Sequence, residues 1–171
     1  GKIIYQEAFG HHTYEKRIKM RTTDLFDVAS ITKVAASTIA VMKMEDEGLI
    51  NVNDTLGHYL PKLIETNKSG LIIRDIMAHR SGLKSWIPFY KETLEGRRYP
   101  KLSDKFYRTK KSDEFSIEVA KNVFLRNDYP DTIYQRIIDS DLRRSRGYKY
   151  SDLGFYFISM LTEASTGKTL D

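Results

Sequence analysis

The chain has 171 residues, of which 40% are hydrophobic and 30% charged. This size and balance suit one globular domain that buries a real core. The chain has no cysteine, which excludes disulfides and thiolate chemistry. No apolar stretch approaches the roughly 20 residues that a membrane-spanning helix needs. The formal net charge of +5 indicates a basic protein.

The first half of the chain predicts one strand followed by helices. Residues 2–9 alternate loosely between apolar and polar side chains and are rich in Ile, Tyr and Phe, which predicts a strand. Residues 30–47 carry apolar side chains at helical spacing, and Gly48 is a typical residue to end such a helix. We expect two further short helices, over residues 55–59 and 71–78.

The second half is less regular. Residues 84–112 mix aromatic side chains with many charges and predict a long irregular segment. Residues 117–124 predict a short strand or a short helix. A helix over residues 131–139 is expected after Pro130, because proline favours the first turn. The last helix is predicted from about residue 152 to residue 165.

Two basic segments carry much of the positive charge. Residues 97–111 contain seven Lys or Arg side chains against one Asp, and residues 143–149 add four more. Such segments can contact nucleic acid or an anionic envelope surface. They can equally be solvated surface loops, and we favour that interpretation.

Ser30 and Lys33 form the most informative pair in the chain. On a helix, residues three apart share a face, so the hydroxyl and the amine would lie about one turn apart. A desolvated lysine with a depressed pKa can remove the serine proton, and a helix start supplies N–H groups that favour developing negative charge. The alternative is that Ser30 is only an N-cap and Lys33 is solvated. The apolar neighbours of Lys33 favour partial burial.

A second candidate group is the segment Tyr150-Ser151-Asp152, which precedes the last predicted helix. A phenol held beside an ammonium group can shuttle protons. The alternative makes Tyr150 a packed aromatic residue and Asp152 the N-cap of the helix.

Three motifs occur in order along the chain. They are Phe-Asp-Val-Ala-Ser-Ile-Thr-Lys at residues 26–33, His-Arg-Ser-Gly-Leu at 79–83 and Tyr-Ser-Asp-Leu-Gly-Phe at 150–155. Together they resemble the serine β-lactamase and penicillin-binding-protein superfamily, most closely its class C β-lactamase, D-alanyl-D-alanine carboxypeptidase and esterase branch. The resemblance covers nearly the whole chain.

The resemblance implies an α+β fold in which an antiparallel sheet is flanked by helices, with a mainly helical subdomain. We expect residues 1–171 to be a single truncated domain of this kind. Residues 1–48 would supply a sheet edge and the nucleophile helix, and residues 49–171 the helical subdomain. The family's third motif, Lys-Thr-Gly or His-x-Gly, lies on a later strand. Gly167-Lys168-Thr169 is not that motif, because it directly follows a predicted helix and is typical of a helix end.

The resemblance also implies a role for each site residue. Ser30 would be the acylated nucleophile, and its backbone N–H half of the oxyanion hole. Lys33 would be the base or the organiser of proton transfer, and Tyr150 would relay the proton. Asp152 would occupy a substrate-binding position where the family commonly has asparagine. An aspartate lacks the amide donor, and its charge favours a protonated Lys33, so we expect β-lactams to be poorer substrates than esters or peptides.

The sequence therefore predicts a serine hydrolase that acts through an acyl-enzyme on esters, D-amino-acid peptides or β-lactam-like substrates. A catalytically inactive binding or sensor domain is the alternative, and a module that binds anionic polymers is a third interpretation. We expect a small-molecule or peptide substrate, an envelope association, no cofactor, no metal and no nucleic-acid partner. The resemblance implies an exported bacterial protein in the periplasm or cell envelope. His79 is expected to be a hydrogen-bonding turn residue, and the chain alone is expected to be inactive.

Overall fold

The computed structural model describes residues 1–170. The residues form two compact units, which we call the first unit, Gly1–Thr32, and the second unit, Lys33–Asp171. Asp171 itself lies outside the described residues. The subdivision of the family domain at residue 48 stays a prediction.

The first unit consists mainly of irregular backbone. Its N-terminal residues 2–9, predicted as a strand, form none, so that prediction is wrong. A strand is stable only where neighbouring backbone accepts and donates its hydrogen bonds, and no described residue of this unit pairs with 2–9. A short loop follows, in which the N–H of His12 donates to the carbonyl of Ile18 at 3.0 Å.

The second unit is built mainly from helices, as predicted. A π-helical segment, Lys33–Thr38, leads into the first α-helix, and two short 3₁₀ helices, Pro61–Leu63 and Phe89–Thr93, connect other elements. The α-helices are α1 (Ile39–Asp46), α2 (Leu56–Tyr59), α3 (Ile73–Met77), α4 (Tyr129–Asp139) and α5 (Leu153–Thr166). Among residues 1–170, none of the helices has the length and apolar character needed to cross a bilayer.

The helix predicted over residues 30–47 is confirmed over residues 31–46, but its segment Lys33–Thr38 is π-helical. The hydroxyl of Thr38 donates to the carbonyl of Lys33, five residues earlier, at 2.7 Å. π-helical turns of this kind are rare and often mark functional sites. At the other end Gly48 has a φ of +70°, the left-handed conformation in which helices commonly end.

The strands form two small antiparallel sheets, one of two strands and one of three. The strands are β1 (Leu94–Glu95), β2 (Lys101–Leu102), β3 (Tyr107–Arg108), β4 (Ile117–Ala120) and β5 (Val123–Leu125). In the first sheet β1 pairs with β2, and in the second β5 lies between β3 and β4. Residues 84–112 are thus more ordered than predicted. The sequence did not indicate these strands because a strand of two residues is too short to leave a periodic pattern. The seven cationic side chains of residues 97–111 are exposed.

The core of the second unit surrounds α5. The packing of α5 in this core determines where its N-terminal end lies. Phe157, Ile158 and Leu161 of α5 are fully buried. Gly154 lies so close to α3 that an added Cβ would come within 2.6 Å of Ile76 Cγ2. Only glycine permits this approach, which brings the residues just before α5 beside the loop that follows α3.

Lys68 is an unusual member of this core because its side chain is fully buried. Its ammonium donates to the carbonyl of Ile138 at 3.0 Å, to the side chain of Asn67 at 2.5 Å and to the carbonyl of Ser140. These bonds satisfy the last carbonyls of α4. Burial nevertheless lowers the pKa of Lys68 to about 8.

This lowered pKa predicts a pH-dependent stability. The unfolded chain holds the Lys68 proton up to the ordinary value of 10.5, whereas the folded chain releases it near pH 8. The free energy of unfolding should therefore rise between pH 8 and pH 10.5, by about 3 kcal/mol from this residue. Urea unfolding of the full-length protein measures this rise. We expect Lys68→Met to abolish it and Lys62→Met, at an exposed position, to keep it; equal slopes in both variants would contradict the assignment.

Candidate active site

Ser30 lies in a tight turn at the end of the first unit. The side chain of Asp27 accepts the N–H of Ala29 at 2.7 Å, and the N–H of Ile31 donates to the carbonyl of Val28 at 3.0 Å. Ala29 has a φ of +45°, in the left-handed region that an alanine adopts only at a cost of about 1–2 kcal/mol. Such strain persists where the surroundings enforce it, commonly at functional positions. Ser30 itself is exposed.

Lys33 and Asp152 form an ion pair in the second unit, with 2.7 Å between Nζ and Oδ1. The Lys33 side chain is only 17% exposed. Asp152 occupies the N-cap position of α5, but its side chain makes no capping bond to the helix. The alternative of a simple N-cap is therefore wrong, because the carboxylate is turned toward the lysine.

Two aromatic rings complete the surroundings of the Lys33 ammonium. Its Nζ lies 5.3 Å from the centre of the Tyr150 ring and 5.4 Å from the centre of the Phe155 ring. A cation over an aromatic face is stabilised by the ring's quadrupole. The structure thus brings Lys33, Tyr150 and Asp152 into one cluster, and the catalytic and substrate-binding roles expected of them stay predictions.

The charge state of Lys33 follows from these neighbours. Burial lowers the pKa of Lys33, but hydrogen bonds to Asp152 and Tyr150 raise it by a larger amount. The net pKa therefore lies above the usual 10.5. Lys33 is therefore an ammonium at neutral pH. The expectation of a depressed lysine pKa is wrong, and the expectation that Asp152 favours a protonated Lys33 is confirmed.

His79 holds the segment that carries Tyr150. The N–H of Ser151 donates to His79 Nδ1 at 3.2 Å, and the N–H of Lys149 donates to the His79 carbonyl at 2.9 Å. The His79 ring centre lies 4.4 Å from that of Tyr150. The prediction of a hydrogen-bonding turn residue is confirmed. Its contact with Tyr150 was not predicted, and the only sequence signal for it was the shared order of the two motifs.

Further hydrogen bonds join the same two segments. The N–H of Asp152 donates to the carbonyl of Ser85 at 2.8 Å, and the hydroxyl of Ser151 donates to the carbonyl of Lys84 at 2.7 Å. The loop after α3 therefore runs alongside the residues before α5. These two bonds fix the backbone that carries the carboxylate of the ion pair.

Within residues 1–170, no cluster of three or more His, Cys, Asp or Glu side chains is placed to hold an ion. His12, one of the two adjacent histidines, pairs with Asp24 at 2.9 Å inside the first unit. The chemistry of the cluster is that of an ammonium, a carboxylate and a phenol.

Comparison with known proteins identifies the family. A family model described as Beta-lactamase matches residues 1–171. The chain belongs to the beta-lactamase family. That family is part of the serine hydrolase superfamily that includes penicillin-binding proteins, as the three motifs predicted. The α+β architecture with small antiparallel sheets and helices is consistent with this membership.

Curated relatives of this beta-lactamase family member come from Bacillus subtilis strain 168. The chain is 28% identical to an N-acetylmuramyl-L-alanine amidase over an alignment of 184 positions, covering 100% of the chain and 36% of the relative. It is 19% identical to penicillin-binding protein 4*, covering 98% of the chain and 31% of the relative. The chain therefore spans about a third of the length of these relatives.

A solved structure shows the same fold. The crystal structure of FmtA from Staphylococcus aureus superposes with a TM-score of 0.61 at 21% sequence identity. The match covers 95% of this chain and 36% of the FmtA chain. The predicted α+β, β-lactamase-like fold class is confirmed by this match and by the family model.

The ion pair predicts the titration of Lys33. Replacing Asp152→Asn removes the negative charge that raises the pKa of Lys33, so this pKa should fall, as measured by NMR titration of labelled lysines in the full-length protein. Lys43 and Glu47 offer a matched control, because they also pair, at 2.5 Å, but with exposed side chains. Water and salt screen exposed pairs, so Glu47→Gln should lower the pKa of Lys43 less. An unchanged Lys33 titration in Asp152→Asn would contradict the site geometry.

Proposed function

We propose that this chain supplies the nucleophile and the proton-transfer groups of a serine hydrolase that works through an acyl-enzyme. The Ser30 hydroxyl attacks a substrate carbonyl, so that an Oγ–C bond forms as the bond to the leaving group breaks. The serine proton passes to Tyr150 and from there to the leaving group. Water then attacks the acyl-enzyme, and its proton returns along the same path to restore the serine hydroxyl.

The observation that carries this proposal is the ion pair between Lys33 and Asp152 beside the Tyr150 ring. Because Lys33 is an ammonium, it has no lone pair with which to accept the serine proton. Its role is then to organise charge around the phenol, and Tyr150 is the group that moves the proton. This assignment chooses between the two lysine roles that the sequence left open.

The same ion pair supports a substrate class. Asp152 offers oxygen atoms alone, and one of them is bound to Lys33. A substrate that needs an amide donor at this position, as the side chain of a β-lactam does in the family, would lose that bond. Esters, or peptides that end in D-amino acids, are therefore better substrates in this proposal than β-lactams. Two relatives, named as an amidase and a penicillin-binding protein, support acyl transfer as the class of chemistry.

The second candidate function is a binding or sensor domain without turnover. The feature that favours it is Asp152. Its carboxylate pairs with the Lys33 ammonium and so offsets the positive charge that would otherwise act on a substrate. An exported location in the periplasm or envelope of a bacterium belongs to both candidates, and the bacterial origin of the relatives is consistent with it.

Covalent labelling and kinetics of the full-length protein separate the two functions. A fluorophosphonate probe should label Ser30, identified by peptide mass spectrometry, and a fluorescent penicillin should label the same residue more slowly. Ser30→Ala should lower the hydrolysis of a nitrophenyl ester about 1000-fold or more, because the nucleophile is lost. Ser112→Ala, at an exposed loop serine, is the control and should keep the wild-type rate. Equal rates in wild type and Ser30→Ala would favour the binding domain.

A further inference from the structure

One residue holds the backbone on both sides of Tyr150. The N–H groups of Lys149 and Ser151 both donate to His79, the first to its carbonyl and the second to its ring nitrogen Nδ1. The imidazole also packs against the phenol ring, with 4.4 Å between centroids and 38° between planes. The position of Tyr150 therefore depends directly on the conformation and charge of His79.

The bond from Ser151 imposes a charge state on His79. Nδ1 can accept a hydrogen bond only while it carries a lone pair, which requires the neutral ring with its proton on Nε2. Protonation places a hydrogen on Nδ1 as well. Nδ1 would then be a donor that faces the N–H of Ser151, and the bond would be replaced by a repulsive contact.

The surroundings of His79 favour the neutral ring. Burial lowers the pKa of His79, and the positive charge of Lys33 lowers it further. The backbone contact with Ser151 and the carboxylate of Asp152 oppose this in part, and the net pKa lies below the ordinary 6.5. Four other charged or titratable residues are close to His79. Tyr150 and Tyr148 contact its ring, with the Tyr148 ring centre 6.1 Å away. Lys149 donates its N–H to the His79 carbonyl, and the chain neighbour Arg80 pairs with Asp75 at 3.0 Å.

The sign of the pH effect follows from this lowered value. The pKa of His79 is lower in the folded state than the ordinary 6.5. The contacts that need a neutral ring are therefore intact above pH 6.5, and they are lost as the pH falls through the folded-state pKa. The segment that carries Tyr150 should therefore be firmly held at neutral pH and released in acid.

We propose that His79 is a positioning residue that holds Tyr150 in place only while its ring is neutral, so that acid releases the tyrosine and switches the site off. The catalytic half of this inference rests on the proposed function, in which Tyr150 moves the proton. The structural half, the release of the segment around Tyr150, does not depend on turnover.

Three substitutions at one position test the catalytic half, because each keeps a different part of the histidine. His79→Asn can place its amide oxygen where Nδ1 lies, and asparagine tolerates the φ of +56° found here. His79→Gln places its amide one bond further out, near Nε2. His79→Leu offers no acceptor at all. Neither amide titrates, so the acceptor and the pH response are separated.

We expect the following kinetics for ester hydrolysis by the full-length protein. Wild-type kcat should fall on the acid side, and His79→Asn should retain kcat within about fivefold at neutral pH while this acid limb disappears. His79→Gln and His79→Leu should lose about 100-fold in kcat with little change in KM, because a displaced proton-transfer group slows the chemical step. His58→Asn, at an exposed histidine, should keep both the wild-type rate and its pH profile.

Hydrogen exchange at the Ser151 amide tests the structural half without substrate. Exchange should be slow at neutral pH in wild type and His79→Asn, and fast in His79→Leu, with thermal melting confirming that each variant is folded. On acidification the opening of this amide, after correction for intrinsic exchange, should increase in wild type but not in His79→Asn.

The outcomes are distinguishable. An acid limb that persists unchanged in His79→Asn, or a folded His79→Leu that matches wild type in kcat and in Ser151 exchange, would overturn the inference. If wild type hydrolyses no ester at all, the proposed function fails, and the exchange data alone decide whether His79 holds Tyr150.

Discussion

The ion pair between Lys33 and Asp152 is the contact on which the candidate site depends. A lysine amine that is largely removed from water needs either a neutral form or a counterion. Here the counterion lies 2.7 Å away and the pKa is raised, so the charged form prevails. Every chemical role assigned to the cluster follows from that charge. In the proposed mechanism, a lysine that cannot accept a proton leaves Tyr150 as the group that moves it.

The fold holds this ion pair from two directions. The absence of a side chain at Gly154 lets α5 approach α3, and this approach fixes the helix end that carries Asp152. The loop after α3 then binds the preceding segment through His79, Lys84 and Ser85. A single backbone region therefore carries both the carboxylate and the phenol, and small changes in that loop move both groups.

Sequence reasoning predicted the parts of the site that depend on residue type and order. The helical character of the second unit, the family and the effect of the Asp152 charge could all be read from patterns and motifs. The prediction of a strand over residues 2–9 was wrong because an alternating pattern indicates a tendency to form a strand, not the presence of a partner strand. No sequence pattern indicated the π-helical turns at Lys33–Thr38. The contact of His79 with the segment around Tyr150 joins residues far apart in the chain, which no local pattern encodes.

We propose that the Lys33 ammonium and the Tyr150 phenol act on the hydroxyl of Ser30. A crystal structure of the full-length protein after reaction with a fluorophosphonate tests it most directly. We expect phosphorus bonded to Ser30 Oγ, with the Tyr150 hydroxyl about 3 Å from that oxygen and Lys33 still paired with Asp152. A phosphonylated Ser30 with Tyr150 on a remote surface, or with Lys33 turned into solvent, would contradict it.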